Sequence, residues 1–210
     1  MMKTIQNIIA ASLTTTSKVY CGGILLTLGL AACHSKEVQP KEFLPNWADY
    51  KNEVTDKQAT EGMEMRLTYN PTDLLILNEL EGSFSQTRYA KSKQNFCAHY
   101  YFTLDIANTP LSKKTGEAIK KYFVRDRQSQ FSLRVGTDSI PCALYHPEMM
   151  SDADKLVRLN LVFPRPVPCD STEIGQDLKM SFREGTVLSN EVVRFVIKGE
   201  KINQIPKIKF

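Results

Sequence analysis

Apolar and polar residues alternate along much of the chain from residue 63 onwards. Met63, Met65, Leu67 and Tyr69 fall on one side of an extended segment, with polar residues between them, as in a half-buried β-strand. The same alternation marks residues 100–106, 131–135, 157–163, 178–182, 193–197 and 208–210. It predicts about seven strands, mostly antiparallel, each with one apolar face. Because such faces must be buried against a second layer, we expect a mainly β fold, a β-sandwich formed by residues 63–210.

Two further segments have the spacing of short helices. One follows Pro71, carries a run of leucines and stops at Gly82, with proline and glycine in the positions that favour a helix start and a helix end. The other begins near Thr115 and ends near Arg125. Its apolar stripe consists of Ile119, Tyr122 and Phe123. Between the two helices, residues 82–95 are polar and are predicted to form a mobile loop.

The first residues have the composition of a secretory signal segment. Lys3 and Lys18 precede an uncharged stretch, residues 19–32, which ends in two small residues. As a helix this stretch rises only about 21 Å, whereas the hydrocarbon core of a bilayer is about 30 Å thick. It is therefore predicted to be removed, and the alternative is a buried apolar helix followed by an ordinary core cysteine.

The residues at the end of this stretch, Leu30-Ala31-Ala32-Cys33, resemble the lipobox of bacterial lipoproteins. The resemblance implies that Cys33 receives a diacylglyceryl group, that the chain is cleaved just before it, and that the new N-terminus is acylated. Two or three acyl chains hold a protein stably at a bilayer. In many Gram-negative bacteria an aspartate after the lipidated cysteine retains the lipoprotein in the inner membrane. Because His34 occupies that position here, the resemblance implies an outer-membrane lipoprotein.

Cleavage before Cys33 removes two lysines and no acidic residue, so the formal net charge falls from +4 to +2. Nucleic-acid binding needs a concentrated basic face, and this near-neutral balance gives no reason to expect a nucleic-acid partner. Basic residues do gather around the second predicted helix. The candidates there for contact with an acidic partner, surface polysaccharide or anionic lipid headgroups are Lys113, Lys114, Lys120 and Lys121. The alternative is a solvated helix face.

Residues 33–62 are rich in charged and amide side chains and poor in apolar ones, which predicts a flexible tether between the lipidated cysteine and the domain. Within it lies an apolar island around Trp47. One interpretation is a short helix that starts at Pro45 and packs on the domain. The other is a docking segment in which Trp47 anchors a partner protein. Exposed strand edges offer a second route to a partner.

Cysteine and histidine are the main candidates for specific chemistry in the predicted domain. An oxidising envelope favours disulfides, and Cys142 and Cys169 each follow a proline just beyond a predicted strand. A disulfide between these two is the favoured pairing, although the sequence leaves Cys97 with either partner open. The alternative is a metal site that combines the cysteines with His99 and His146. Because Cys-x-His does not recur as a paired knuckle, we expect no bound metal.

The sequence contains no hydrolase, nucleotide-binding or dinucleotide-binding motif, so we expect a non-catalytic domain without a cofactor. These features predict an outer-membrane lipoprotein whose domain binds another envelope protein as an accessory or assembly subunit. The first alternative is a surface protein that binds a ligand or glycan through an aromatic-lined site. The tyrosines available to that site are Tyr89, Tyr100, Tyr101 and Tyr145. The second alternative is a metal-dependent enzyme or sensor that uses Cys97, His99 and His146.

Overall fold

The structure of the protein is a computed structural model that describes residues 36–60, 63–108, 113–150, 155–166, 175–183 and 192–210. For residues 108, 113–115 and 155–156 the description is limited to the backbone. The first elements in chain order are β1 (Glu37–Val38), α1 (Pro40–Phe43), α2 (Trp47–Glu53), β2 (Thr55–Thr60), β3 (Met63–Asn70), α3 (Thr72–Glu79), α4 (Gln86–Phe96), β4 (His99–Asn108) and α5 (Lys113–Val124). After a 3-10 helix, Gln128–Gln130, come β5 (Phe131–Val135), β6 (Asp138–Pro141), β7 (Leu144–Met149), β8 (Lys155–Pro164), β9 (Leu178–Arg183), β10 (Val192–Ile197), α6 (Gly199–Asn203) and β11 (Lys207–Ile208).

Two antiparallel sheets make up a mainly β, sandwich-like fold. One has five strands in the order β2-β3-β4-β8-β7, and the other has four in the order β10-β9-β5-β6. The fold class predicted from the alternating pattern is confirmed, because β3, β4, β5, β8, β9 and β10 are predicted strands. The described residues also contain strands that the pattern did not indicate, namely β1, β2, β6 and β7.

The core lies between the two sheets and is filled by the inward side chains that the alternation selects. Leu67, Leu104 and Leu159 lie opposite one another in register on three neighbouring strands, and all three are fully buried. From the other sheet, Phe131 and Phe182 stack with their ring centroids 4.6 Å apart. These residues belong to one continuous apolar cluster, so burial of apolar area is the main stabilising contribution to the fold.

The two sheets meet at the edge where β2 approaches β10. A carboxylate oxygen of Asp56 accepts a hydrogen bond from the backbone N–H of Val196 at 2.7 Å. This contact satisfies a donor on an edge strand that would otherwise have no partner in its own sheet. Elsewhere in the described ranges, β6 and β7 are the remaining edge strands of the two sheets.

Residues 36–60 are folded, so the prediction of a flexible tether is wrong over this range. β1 pairs in parallel with β11, and Phe43 and Val54 are fully buried. Phe43 forms a second apolar cluster with Leu74 and Leu77 of α3. The few apolar residues of this segment are enough to fix it because their partners are supplied by distant parts of the chain. The helix predicted to start at Pro45 is present as α2, which begins two residues later.

Residues 86–96 form α4, so the prediction of a mobile loop over residues 82–95 is wrong for most of that range. The turn before α4 reverses the chain through Glu81 and Gly82, whose φ angles are +46° and +81°. Glycine adopts that left-handed conformation without steric cost. Only Ser92 is buried on α4, which explains why the helix has no apolar stripe in the sequence.

Candidate functional site

Strand β7 is an exposed edge of the five-stranded sheet, because it pairs only with β8. Pro147 lies in the middle of the strand and has no N–H to donate, which is one of the ways in which proteins blunt an edge. Near the two ends of the strand, Leu144 is 52% exposed and Met149 is 49% exposed. Large exposed apolar side chains along an unpaired edge are typical of a binding surface.

The end of α5 lies against the beginning of β7. The hydroxyl of Tyr145 donates a hydrogen bond to the carbonyl of Phe123 at 2.6 Å, and burial raises the pKa of Tyr145, which keeps the hydroxyl protonated. The side-chain amide of Gln128 donates to the carbonyl of Cys142 at 2.9 Å. These contacts fix the position of Val124, which is 54% exposed. We call β7 and its exposed neighbours Val124, Leu144 and Met149 the β7 surface. Leu144 and Met149 are five residues apart on the strand, so they project from opposite faces of the sheet.

Exposed large hydrophobic residues are few in the described ranges. They are Val124, Leu144, Met149 and Phe210. Three of these four residues lie on β7 or at the end of α5 that contacts it, and Leu144 and Met149 lie at opposite ends and on opposite faces of the strand. An unpaired edge strand with exposed apolar residues at both ends is a candidate site for the addition of a partner strand.

Basic side chains accompany the β7 surface on α5. Lys121 and Arg125 are exposed, on the helix and in the residue that follows it. Lys120 is half-buried and lies 3.7 Å from Glu117, one turn earlier. All four lysines predicted to contact a partner thus lie on α5, the helix that ends in Val124. The side chains of two of them, Lys113 and Lys114, lie outside the described residues.

Beside β7, the outer face of the five-stranded sheet carries a row of alternating charges. Arg66, Asp105, Arg158 and Glu148 lie opposite one another on four neighbouring strands. Arg158 donates to both carboxylate oxygens of Asp105, at 2.7 and 3.3 Å. Asn160 donates to Glu148 at 2.7 Å. Because neighbouring charges compensate one another, this row is a polar and nearly neutral border of the β7 surface.

Trp47 is part of the domain and not a free docking residue. Its ring stacks on Phe43, with the centroids 6.0 Å apart, and it packs against both apolar clusters. This arrangement agrees with the interpretation of a short helix that packs on the domain. Because the ring is used within the fold, the geometry favours this interpretation over a docking segment anchored by Trp47.

The four tyrosines proposed for a glycan site do not come together. Tyr100 is 6% exposed and points into the core, whereas Tyr101 is half-buried on the opposite face of the same strand, next to Phe96. The hydroxyl of Tyr89 donates a hydrogen bond to a carboxylate oxygen of Asp73, and the hydroxyl of Tyr145 donates one to the carbonyl of Phe123 in α5. The four rings therefore do not form one aromatic surface on which a sugar could stack.

His99 and His146 are also far apart. They pair with Pro164 and Asn160 on opposite sides of β8. Four residues along a strand and two strand spacings across it separate their Cα atoms by about 16 Å. Within the part of the chain that the structure describes, no group of three or more histidine, cysteine, aspartate or glutamate residues is placed to hold a metal ion. The geometry therefore does not favour a metal site at His99 and His146.

Cys142 is a free and buried thiol, so the predicted disulfide between Cys142 and Cys169 does not form. The sulfur instead turns towards the backbone carbonyls of Leu144 and Val162, at 3.0 and 3.7 Å. Cys97 is disulfide-bonded, and its partner lies outside the described residues. Two predicted sites also lie outside them, namely Cys33 and Cys169.

The Cys142 thiol is expected to be unreactive in the folded protein. Burial raises its pKa to about 11, and the thiolate is the reactive species. At about pH 8, alkylation of Cys142 should be slow in the native state and rapid after unfolding without reductant. Native labelling should accelerate as the pH approaches the raised pKa. Peptide mass mapping measures this, with Cys142→Ser as the control, and a disulfide-linked peptide that contains Cys142 would contradict it.

Within the described ranges, none of the helices combines the length and the apolar content needed to cross a bilayer. No protein-family model matches the chain, and no curated protein matches it. A solved structure similar to the chain is a crystal structure described as a novel protein of unknown function from Burkholderia pseudomallei K96243. That match has a TM-score of 0.42 and 9% sequence identity, and it covers 80% of this chain and 93% of the other. At this level of similarity it carries no functional information.

Proposed function

We propose that the protein is an outer-membrane lipoprotein whose non-catalytic β-sandwich binds another envelope protein through the β7 surface. The observation that carries the proposal is the unpaired edge strand β7, which has exposed apolar side chains at both of its ends. Acylation of Cys33, implied by the lipobox resemblance, would hold the domain at the membrane. The domain would then act as an accessory or assembly subunit of a larger envelope complex.

The chemistry of the β7 surface indicates what kind of partner fits. An edge strand offers unpaired backbone groups, which favour an extended segment that adds to the sheet. Leu144 and Met149 lie at the two ends of the strand and suit apolar side chains on that segment. Lys121 and Arg125 nearby favour acidic residues, since complementary charge steers association and sets the register. We therefore infer an extended partner segment with both apolar and acidic residues.

Binding at β7 should be abolished by a charge at Leu144. In living cells, a photo-crosslinking residue at Met149 is expected to capture one envelope protein. Leu144→Glu should reduce that product about tenfold or more, because a buried carboxylate at an apolar contact costs more than about 1.4 kcal/mol. The measurement is the yield of crosslinked product, together with the thermal midpoint of the purified variant, which should not change.

Ser139→Glu provides the matched control. Ser139 is exposed on β6, the edge strand of the other sheet, so the same charge is placed on an edge outside the β7 surface. This variant should retain the crosslinked product. The proposal is wrong if Leu144→Glu leaves the product unchanged, or if only lipid is captured. Intact mass of the chain from membranes tests the anchor separately, since Cys33 should carry acyl chains and residues 1–32 should be absent.

A further inference from the structure

The folded domain begins very close to the proposed site of acylation. Only two residues separate Cys33 from Lys36, the first residue that the structure describes. Three Cα–Cα steps span at most about 11 Å. If Cys33 carries the lipid, this short connection cannot act as a long spacer, and Lys36 must lie near the headgroups.

The pairing of β1 with β11 brings a distant part of the chain to the same place. Glu37 and Val38 pair with Lys207 and Ile208, and the backbone N–H of Lys207 donates to the carbonyl of Lys36 at 2.9 Å. The chain from Lys207 onwards therefore lies beside the residue nearest to the anchor.

Helix α4 joins this region through its aromatic contact with Phe210. The rings of Tyr89 and Phe210 lie 4.8 Å apart, and Arg88 and Lys91 on α4 are exposed. Phe210 is 44% exposed and is the fourth exposed large hydrophobic residue of the described ranges. We define the anchor face as the side chains of Lys36, Arg88, Lys207, Lys209 and Phe210.

The charge of the anchor face is positive. It contains four basic residues, all of them exposed. Nearby, Glu37 is paired with Lys209 at 2.7 Å, and Asp73 accepts a hydrogen bond from Tyr89. Glu42 is turned back towards the backbone N–H of Gln39, at 3.4 Å. Basic residues remain in excess after these acidic groups are taken into account.

We propose that the anchor face lies against the bilayer and binds the headgroups of anionic phospholipids. The proposal rests on the acylation of Cys33 described under the proposed function. Electrostatic attraction to a charged surface acts over about 8 Å at physiological ionic strength, and the short connection holds Lys36 within a comparable distance. Juxtamembrane lysines and arginines are attracted to anionic leaflets, and an aromatic ring is favoured at the interface.

Lysine labelling of the acylated protein in vesicles tests this orientation. The full acylated chain is placed in vesicles of phosphatidylglycerol and phosphatidylethanolamine, or of phosphatidylcholine alone, and treated with an amine-reactive reagent. Labelling of Lys36 and Lys207 should slow about fivefold on the anionic vesicles relative to the zwitterionic ones, which is the effect of one headgroup interaction per lysine. Lys121, whose helix packs on the main core, should be labelled at the same rate on both.

A spacer variant provides the second control. A Gly/Ser insert of about 12 residues after Ser35 spans roughly 20 Å on average and releases the domain from the surface. Protection of Lys36 and Lys207 should then be largely lost. Equal labelling of Lys207 on the two vesicle types, with acyl mass present on Cys33, would overturn this proposal and leave the anchor intact. Absence of acyl mass on Cys33 would overturn the proposed anchor and this orientation with it.

Discussion

Replacing Phe182 by alanine should remove a large part of the free energy of unfolding of the domain. Phe182 is fully buried, stacks on Phe131 at 4.6 Å, and also contacts Phe123 with ring centroids 5.7 Å apart. A Phe→Ala change at such a position costs about 3–5 kcal/mol. Because domains of this size are stable by about 5–15 kcal/mol in total, the variant should be close to unfolding at physiological temperature.

Chemical denaturation of Phe182→Ala, followed by circular dichroism, measures this effect as a lower midpoint with an unchanged slope. Phe210→Ala is the matched control, because it makes the same chemical change at a ring that is 44% exposed. It should shift the free energy of unfolding by less than about 1 kcal/mol. Equal effects of the two changes would show that Phe182 does not lie in the core shared by the two sheets.

Replacing Phe43 by alanine should release the segment that precedes β2 while leaving the two sheets folded. Phe43 is fully buried and its ring stacks on those of Trp47 and Tyr50 at 6.0 and 6.2 Å. It also packs on α3, in a cluster separate from the main core. The cost of about 3–5 kcal/mol should therefore be concentrated in local unfolding of residues 36–53.

Hydrogen exchange resolves where the Phe43→Ala effect falls. Backbone amides of α1 and of the β1–β11 pair should lose protection, whereas amides of β4 and β8 should keep it. Lys41→Ala changes an exposed residue of the same helix and should leave protection unchanged. Unaltered exchange over residues 36–53 in Phe43→Ala would mean that Phe43 does not hold this segment on the domain.

The central strands could be predicted from the sequence because each has one apolar and one polar face. β3, β4 and β8 lie in the middle of a sheet and pack on a single core. Every second side chain along them is therefore buried, which matches the alternation in the sequence. The same holds for α5, whose stripe of Ile119, Tyr122 and Phe123 is buried. In these elements, local pattern and tertiary environment agree.

The edge strands could not be predicted because apolar and polar residues do not alternate along them. β7 contains Pro147 and exposes both Leu144 and Met149, so polar and apolar positions do not separate into two faces. β6 buries a single side chain, Ile140. β2 has no large apolar residue at all. Such strands are fixed mainly by backbone pairing with a neighbour.

The candidate site could not be found from the sequence for a related reason. Val124 ends an amphipathic helix, and Leu144 and Met149 lie in an irregular strand, so each looks like an ordinary apolar residue. Only the tertiary contact between Tyr145 and Phe123 places the end of α5 beside β7. The lysines of α5 were recognisable as a cluster, but their position next to an unpaired strand required the sheet order.

The parallel pair of β1 and β11 also has a consequence for biogenesis. Lys209 and Glu37 are 172 positions apart in the chain, so closing this contact in an unfolded chain has a large loop-entropy cost, and we expect it to form late. If the chain is exported as proposed, β1 has no partner until β11 has crossed the inner membrane. The segment beside the proposed acylation site would then stay unpaired through translocation and become fixed only when the rest of the polypeptide has arrived.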